Sequence, residues 1–529
     1  MNILFHNFST SEGAYTLWRG NWARAGAILA LLCALSPCAR AQCDSLKPGE
    51  KVWVRLLQPL SSYSGKAGDK VQAMVIESPT CAGAEEIAPG TLVEGQIKSV
   101  RRVGMGFVHE TAAVRVDFDH VLTKDGKGPE ISARIVEIDN ARETVKNGVI
   151  RGVNATDTPQ GRITSRLKHL PTWNPYSDLT LVAYRAAFPI FPEPEIYLPR
   201  GTDVRLELAT ELRVPGEIRG AMQAGAPDAI ERATMEITAP VMPERSTTKS
   251  GKPADFLNVA FLGTPEEMHQ AFHAAGWEKG DPTSTKSVMR EMYAFLAFKN
   301  YPEAPISQQL VEGAPVSATW EKSLDSYEKR EHLRVWARND VISEQTVWLG
   351  AMTRETGATL SVKQHKFIHH IEADVDASRA MLVRDLSLAG CVASVYYVAR
   401  PLMGHAAMNA TGDAMRTDGS LAVVQLKDCE NPIFEQQTAD ARALATRPQS
   451  KLARYVRMQV LSFKSDVVRG NIVYGAFDLT RMAIRARRNH TRRTAMSRQV
   501  ETMLGPSVNP AAGADSQESA VTVAAIDLK

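Results

Sequence analysis

The chain has 529 residues, with 62 Lys and Arg against 59 Asp and Glu, a formal charge of +3. So even a balance excludes a strongly basic nucleic-acid binder. A content of 44% hydrophobic and 23% charged residues excludes wholesale disorder and a multi-pass membrane protein. At about 150 residues per domain the length implies three or four units.

At the N-terminus the one long apolar run is Ala25 to Leu35. A membrane-spanning helix needs about 20 apolar residues, so this run is too short. It follows Arg19 and Arg24 and leads into Ala39-Arg40-Ala41, a small-x-small cleavage signal. Residues 1–41 therefore read as a secretory signal peptide, with Gln42 as the mature N-terminus. A lipoprotein reading through Cys38 is disfavoured by Pro37 beside it. The expected location is periplasmic or secreted. Removing the leader leaves Cys43, Cys81, Cys391 and Cys429, an even count that permits three disulfide connectivities. The pairs close in sequence, Cys43–Cys81 and Cys391–Cys429, are the expected bridges, and four reduced core cysteines are the alternative.

Residues 44–215 read as a β-rich domain. Segments such as Lys51–Leu57, Val71–Ile76 and Ala112–Phe118 alternate partially, and Pro-Gly turn phrases at 48–49 and 89–90 lead into extended runs. Short strands at this spacing predict an all-β sandwich or barrel. Residues 216–254 are polar and proline-interrupted, a linker holding one short helix. Residues 255–430 form the next unit. Phe256–Gly263 is a buried-strand pattern, and Thr264-Pro265-Glu266-Glu267 opens a helix through a capping box that Gly276 later stops. Strand candidates follow at 316–323, 331–338, 346–353 and 359–371, then a helix over 376–388 and strands at 391–399 and 420–427. The pattern is α+β, with a mixed or antiparallel sheet and two helices. Residues 431–505 are a basic helical tail ending near Arg485, Arg487 and Arg488, and 506–529 are Ala/Ser/Gly-rich and expected to be disordered. The basic stretch suits either a solvated helix face or anionic lipid, at about 1 kcal/mol per Arg near a membrane surface.

Several phrases of the α+β unit carry a resemblance. They are Asn258–Gly263, Ala271–Trp277, Val347–Glu355, His369–Asp376 with Arg379, and Gly412-Asp413 with Thr417–Gly419. In order and spacing this stretch resembles the LssY C-terminal-like domain family, a bacterial envelope-associated module. The family commonly has Asp where this chain has Glu355, and Asp-Pro-Asp where it has Glu372-Ala373-Asp374. Some relatives carry the module after a phosphatidic-acid-phosphatase-type membrane domain. This chain has neither that domain's apolar spans nor its Ser-Gly-His motif, so the resemblance implies no phosphatase activity.

The same unit holds the densest polar pattern. Arg330, His332, Arg334 and Trp336 alternate on one strand and share a face. Thr353, Arg354 and Glu355 end another strand, and His370, Asp374, Asp376 and Arg379 lie at a strand-to-helix junction. Converged, they would bind an oxyanion or a sugar. The structural alternative weighs more, with Asp374 or Asp376 capping the helix and Arg379 bridging locally. No ligands sit at a tight metal spacing such as H-E-x-x-H, so neither metal nor cofactor is expected. The sequence thus points to an exported cell-envelope protein that is a non-catalytic binding or structural module. A hydrolase acting on phosphate- or sugar-containing envelope material is the alternative. Its partners would be anionic lipid or envelope glycan, the tail associating with the membrane surface, and not nucleic acid.

Overall fold

The computed structural model describes residues 45–429 except 82–83, 104–110, 124–127, most of 154–194, 219–224, 298–299, 325–328, 343 and 362–365, together with six positions between 483 and 494. The leader at 1–41, Cys43 with its proposed bridge to Cys81, most of the 431–505 tail and the 506–529 C-terminus lie outside the described residues.

The N-terminal region resolves the choice between sandwich and barrel. Six strands, β1 (Lys51–Leu56), β2 (Lys70–Glu77), β3 (Leu92–Arg101), β4 (Ala113–Leu122), β5 (Glu130–Ile138) and β6 (Asp203–Leu208), pair antiparallel in the ring β4-β3-β2-β1-β6-β5. A β4–β5 pairing closes it. Closure leaves no free edge, so every strand backbone finds a neighbour. The period-2 pattern decides which side chains fill the inside: Val114, Val116 and Phe118 of β4 join the core, while Arg115 and Asp117 face outward. Gly95 is needed where β3 crosses β4 closely, because a Cβ there would stand 2.5 Å from the Asp117 carbonyl oxygen.

The C-terminal region is β-rich with four α-helices among the described residues. They are α1 (Ala229–Thr238), α2 (Pro265–Ala274), α3 (Thr285–Ala297) and α4 (Val375–Leu388). The sequence reading had two helices in its α+β unit. α1 is the short helix expected within 216–254, and α3 went unforeseen because Ser284 and Ser287, which exchange both hydrogen bonds at its start, put Ser where the readable capping-box pattern has Glu or Gln. The sheet runs β8 (Glu278–Lys279), β9 (Ala318–Ser323), β10 (Arg330–Ile342), β11 (Gln345–Ser361), β7 (Val259–Leu262), β14 (Ser420–Leu426) and β13 (Val392–Ala399), with β12 (Lys366–Ile371) also on β11. Only β7 and β14 run parallel, so the sheet is mixed.

Both faces are covered. Val259 and Phe261 of β7 pack with Met268 and Phe272 of α2 and Leu382 and Leu386 of α4. Ala260 and Leu262, one residue out of phase, pack with Met235 of α1 and with Trp336, Tyr396 and Val423. That is why β7 reads as a continuous apolar run rather than an alternation. α2 starts as the sequence predicts, Thr264 and Glu267 exchanging both capping-box hydrogen bonds, and Gly276 accepts the φ of +82° that ends it. Cys391 and Cys429 are bonded.

A second compact unit spans Ser462–Lys529. In it Ala483, Ile484, Arg487, His490, Thr491 and Thr494 are helical and exposed. Among the described residues no helix is long and apolar enough to cross a membrane.

Candidate functional site

Along β10, Arg330, His332 and Arg334 leave one face and Glu331, Leu333 and Val335 the other. Register sets their neighbours. His332 lies opposite Glu321 on β9 and Thr353 on β11, and Arg330 lies opposite Glu355. All are buried. Glu355 Oε2 accepts from Arg330 Nε at 3.2 Å and Nη2 at 3.1 Å. Its Oε1 is 3.0 Å from His332 Nδ1, and its Oε2 is 2.8 Å from His369 Nδ1. Arg330 Nη1 donates to Glu321 Oε2 at 3.1 Å. From α3, Glu291 stands 3.9 Å from His369 Nε2. Arg334 turns away to Asp255, at 3.0 Å, and to Ser307.

The charge states follow from this crowding. Burial pushes the His332 imidazolium down to about 4, Glu355 opposing and Arg330 and Arg334 assisting, so His332 is neutral at pH 7. Burial raises Glu321 well above the usual carboxylate range despite Arg330, with Glu355 and Glu291 adding to the rise. For Glu355 burial alone would do the same, yet His332, His369 and Arg330 hold it well below. One ionised carboxylate, gripped by an arginine and two imidazoles, anchors the group. His332 Nε2 and Glu321 Oε1, 3.7 Å apart, have no hydrogen-bond partner.

The opposite face meets the barrel. Arg354 ion-pairs with Asp139 beyond the end of β5 and with Glu331 on β10, 3.3 Å from its Oε1. Neither Glu331 oxygen accepts a hydrogen bond, and burial pushes its carboxyl up to about 8 against the pull of Arg354. Asp385, on α4, accepts at Oδ2 from Lys322 at 2.5 Å and Trp277 Nε1 at 3.2 Å, and its Oδ1 ion-pairs with Arg55 of the barrel at 2.7 Å. Burial would raise Asp385, but Arg55 and Lys322 hold it below the usual range. Arg55 also forks onto Asp203 through Nε and Nη2, at 2.7 and 2.8 Å. Two cavities flank this seam, of about 220 Å³ beside Arg200, His273 and Glu278 and about 140 Å³ beside Trp53, Ser378 and Arg384. Both are walled by Asp139 and Asp203.

At the start of α4, Asp374 accepts from the backbone N–H of Asp376 and Ala377. Arg379 pairs with Asp376 at 3.1 Å and Asp418 at 2.8 Å. This is a capped and bridged helix end.

The family model described as LssY C-terminus matches residues 239–421. That segment is an LssY C-terminal-like domain. No curated protein matches the chain. Among solved structures, ComB10 of the Com type IV secretion system of Helicobacter pylori aligns at 12% identity over 32% of this chain and 89% of that one, with a TM-score of 0.18. A likeness at that score carries no argument.

Within the LssY C-terminal-like domain the nine residues singled out from sequence fall in four places. His332, Thr353 and Glu355 share the first face, and Arg334 leaves it toward Asp255. Arg354 lies on the barrel side. Asp374, Asp376 and Arg379 form the helix cap. His370 is half exposed and meets Asp413 at 2.9 Å, while its neighbour His369 reaches Glu355. Sequence reasoning passed over Glu321, His369, Arg55 and Asp385. His369 was reachable, since alternation puts His369 and His370 on opposite faces, but choosing between them needs the register of β12, and Glu321 enters only through the register of β9 on β10. Among the described residues no three His, Cys, Asp or Glu side chains are grouped to hold a metal ion.

Proposed function

We propose that this chain is an exported cell-envelope protein and a non-catalytic binding or structural module. In it the barrel and the LssY C-terminal-like domain act as one body. The observation that carries this reading is the buried charge network at their seam. Arg55 and Asp139 come from the barrel side, Asp385, Lys322 and Arg354 from the other, and each is engaged across or along the junction. Buried pairs of this kind specify an arrangement more than they add stability. On the first face Arg330, His332 and His369 likewise converge on Glu355. Export is supported by the leader pattern at 1–41 and by the Cys391–Cys429 bond, which belongs to an oxidising compartment. Anionic lipid or glycan is the partner class that the basic 481–493 stretch suits.

Glu355→Gln tests the module reading. The expected result is a lower melting temperature and no change in turnover of aryl phosphate or glycoside probes. A hydrolytic activity of the wild type that this substitution abolishes would overturn it in favour of the hydrolase. Mass spectrometry of the secreted protein tests export, with Gln42 expected first, and an intact Met1 or a lipidated Cys38 refutes the leader.

A further inference from the structure

The first turns after the barrel build a surface that the seam does not use. α1 buries Met235 and Glu231 against the sheet, Glu231 receiving the Tyr396 hydroxyl at 3.1 Å. Its outward arc carries Ile230, Ala233 and Ile237, with Arg232 and Glu236 along one flank. Ile230 is 74% exposed and Ile237 78%, and Val241, just beyond the helix, is 82% exposed. Among the described residues no segment covers them. Two exposed isoleucines on one short helix are an unpartnered apolar stripe.

The order of residues on α1 says what fits there. Helical positions advance about 100° each, so Ile230 and Ile237 fall on one side of Ala233, and Arg232 and Glu236 on the other. Turn the helix about a two-fold axis perpendicular to it, passing near residues 233 and 234. Ile230 then faces the partner's Ile237, and Ile237 the partner's Ile230. Arg232 faces the partner's Glu236 by the same operation, and the small Ala233 sits at the crossing, where side chains would otherwise hold the helices apart. The stripe is complementary to itself in shape and in charge, as an isologous interface requires. A lipid surface would favour cations along the flank, whereas here Arg232 is balanced by Glu236, 2.9 Å away in the same helix.

We propose that α1 is a homodimerisation helix, packing antiparallel on the α1 of a second copy of this chain. The full mature protein is examined by sedimentation equilibrium and by non-reducing electrophoresis. The wild type is expected to dimerise, and Ile237→Asp to weaken association at least about tenfold, or 1.4 kcal/mol. Its melting curve should stay unchanged at concentrations where both proteins are monomeric. Arg232→Glu should weaken association, and Arg232→Glu with Glu236→Arg should restore it, because the swapped charges again face each other. Ala233→Cys should form a disulfide-linked dimer, while the control Glu266→Cys on α2 should not. A wild type that stays monomeric at about 100 μM overturns the proposal. So does an Ile237→Asp variant that still dimerises, or an Ala233→Cys variant that cross-links no better than the control.

Discussion

The barrel and the LssY C-terminal-like sheet handle buried polarity differently. The barrel closes on itself, and its strands send aliphatic side chains inward and polar ones outward, as β4 does with Val114 and Val116 against Arg115 and Asp117. The sheet is open and covered on both faces, so the polar members of its strands are enclosed with the rest. Glu321, Arg330, Glu331, His332 and Glu355 are all nearly inaccessible. Each such group loses hydration and must recover it from neighbours. The barrel therefore gains its order from geometry, and the sheet from a set of matched charges that other elements complete.

If matched charges couple the two regions, Asp385 is the place to break them. Asp385→Ala leaves Lys322 without its acid and Arg55 with Asp203 alone. Removing one member of a buried pair costs about 3–5 kcal/mol. Calorimetry of the wild type is expected to show one transition, and of the variant two, the barrel and the sheet melting separately. A variant that melts like the wild type would show that apolar packing, and not charge, joins them.

The next effect belongs to the sheet alone. Cys391 and Cys429 lie 38 residues apart, and closing a loop of that length contributes about 3–4 kcal/mol in the chain-entropy model. Cys391→Ser should lower the stability of the sheet by that amount and leave the barrel signal in place. Thiol titration of the denatured, unreduced protein provides the direct check, and free Cys391 and Cys429 would contradict the bridge.

How much of this was legible follows the same division. The barrel strands announced themselves through alternation and turns, because a period of two is local information. Closure was not legible, since the β4–β5 pairing depends on curvature that accumulates over six strands. In the sheet, the capping box of α2 and the Asp374 cap of α4 were readable because both ends are written within four residues. The partners of Arg354 and Arg55 were not. Asp139 and Asp385 are hundreds of residues away in the chain from them, and no spacing rule connects them. His332 was singled out by its strand pattern, but its partner Glu321 lies on a neighbouring strand and enters only through register.

A smaller effect tests the local part of that legibility. Thr264→Ala removes the side chain that receives the Glu267 N–H at 3.1 Å and frees the return bond from Thr264 N–H to Glu267. The loss should be about 1 kcal/mol, read as a lower denaturant midpoint with an unchanged slope. A larger loss would mean that the start of α2 also positions β7 and hence the sheet.

The last effect varies with pH and is the most diagnostic of the seam. Glu331 is fully buried, accepts no hydrogen bond, and has its carboxyl pushed up to about 8 by burial. An unfolded glutamate titrates near 4.3. Between these values the folded state holds a proton that the unfolded state has released, so folding is progressively disfavoured as pH rises from about 4 to about 8. Above that window the folded state must bury a carboxylate whose attraction to Arg354 is opposed by Asp139 and Asp385. Glu331→Gln keeps the shape and cannot ionise. The variant should match the wild type near pH 4, gain on it steadily with rising pH, and keep a constant advantage above about pH 9. Melting temperatures across that range provide the measurement. Parallel curves would mean that Glu331 carries its charge in the folded protein at all these pH values, with Arg354 strong enough to hold it. The seam would then be a fully ionised network, and not one that leaves a protonated acid at its centre.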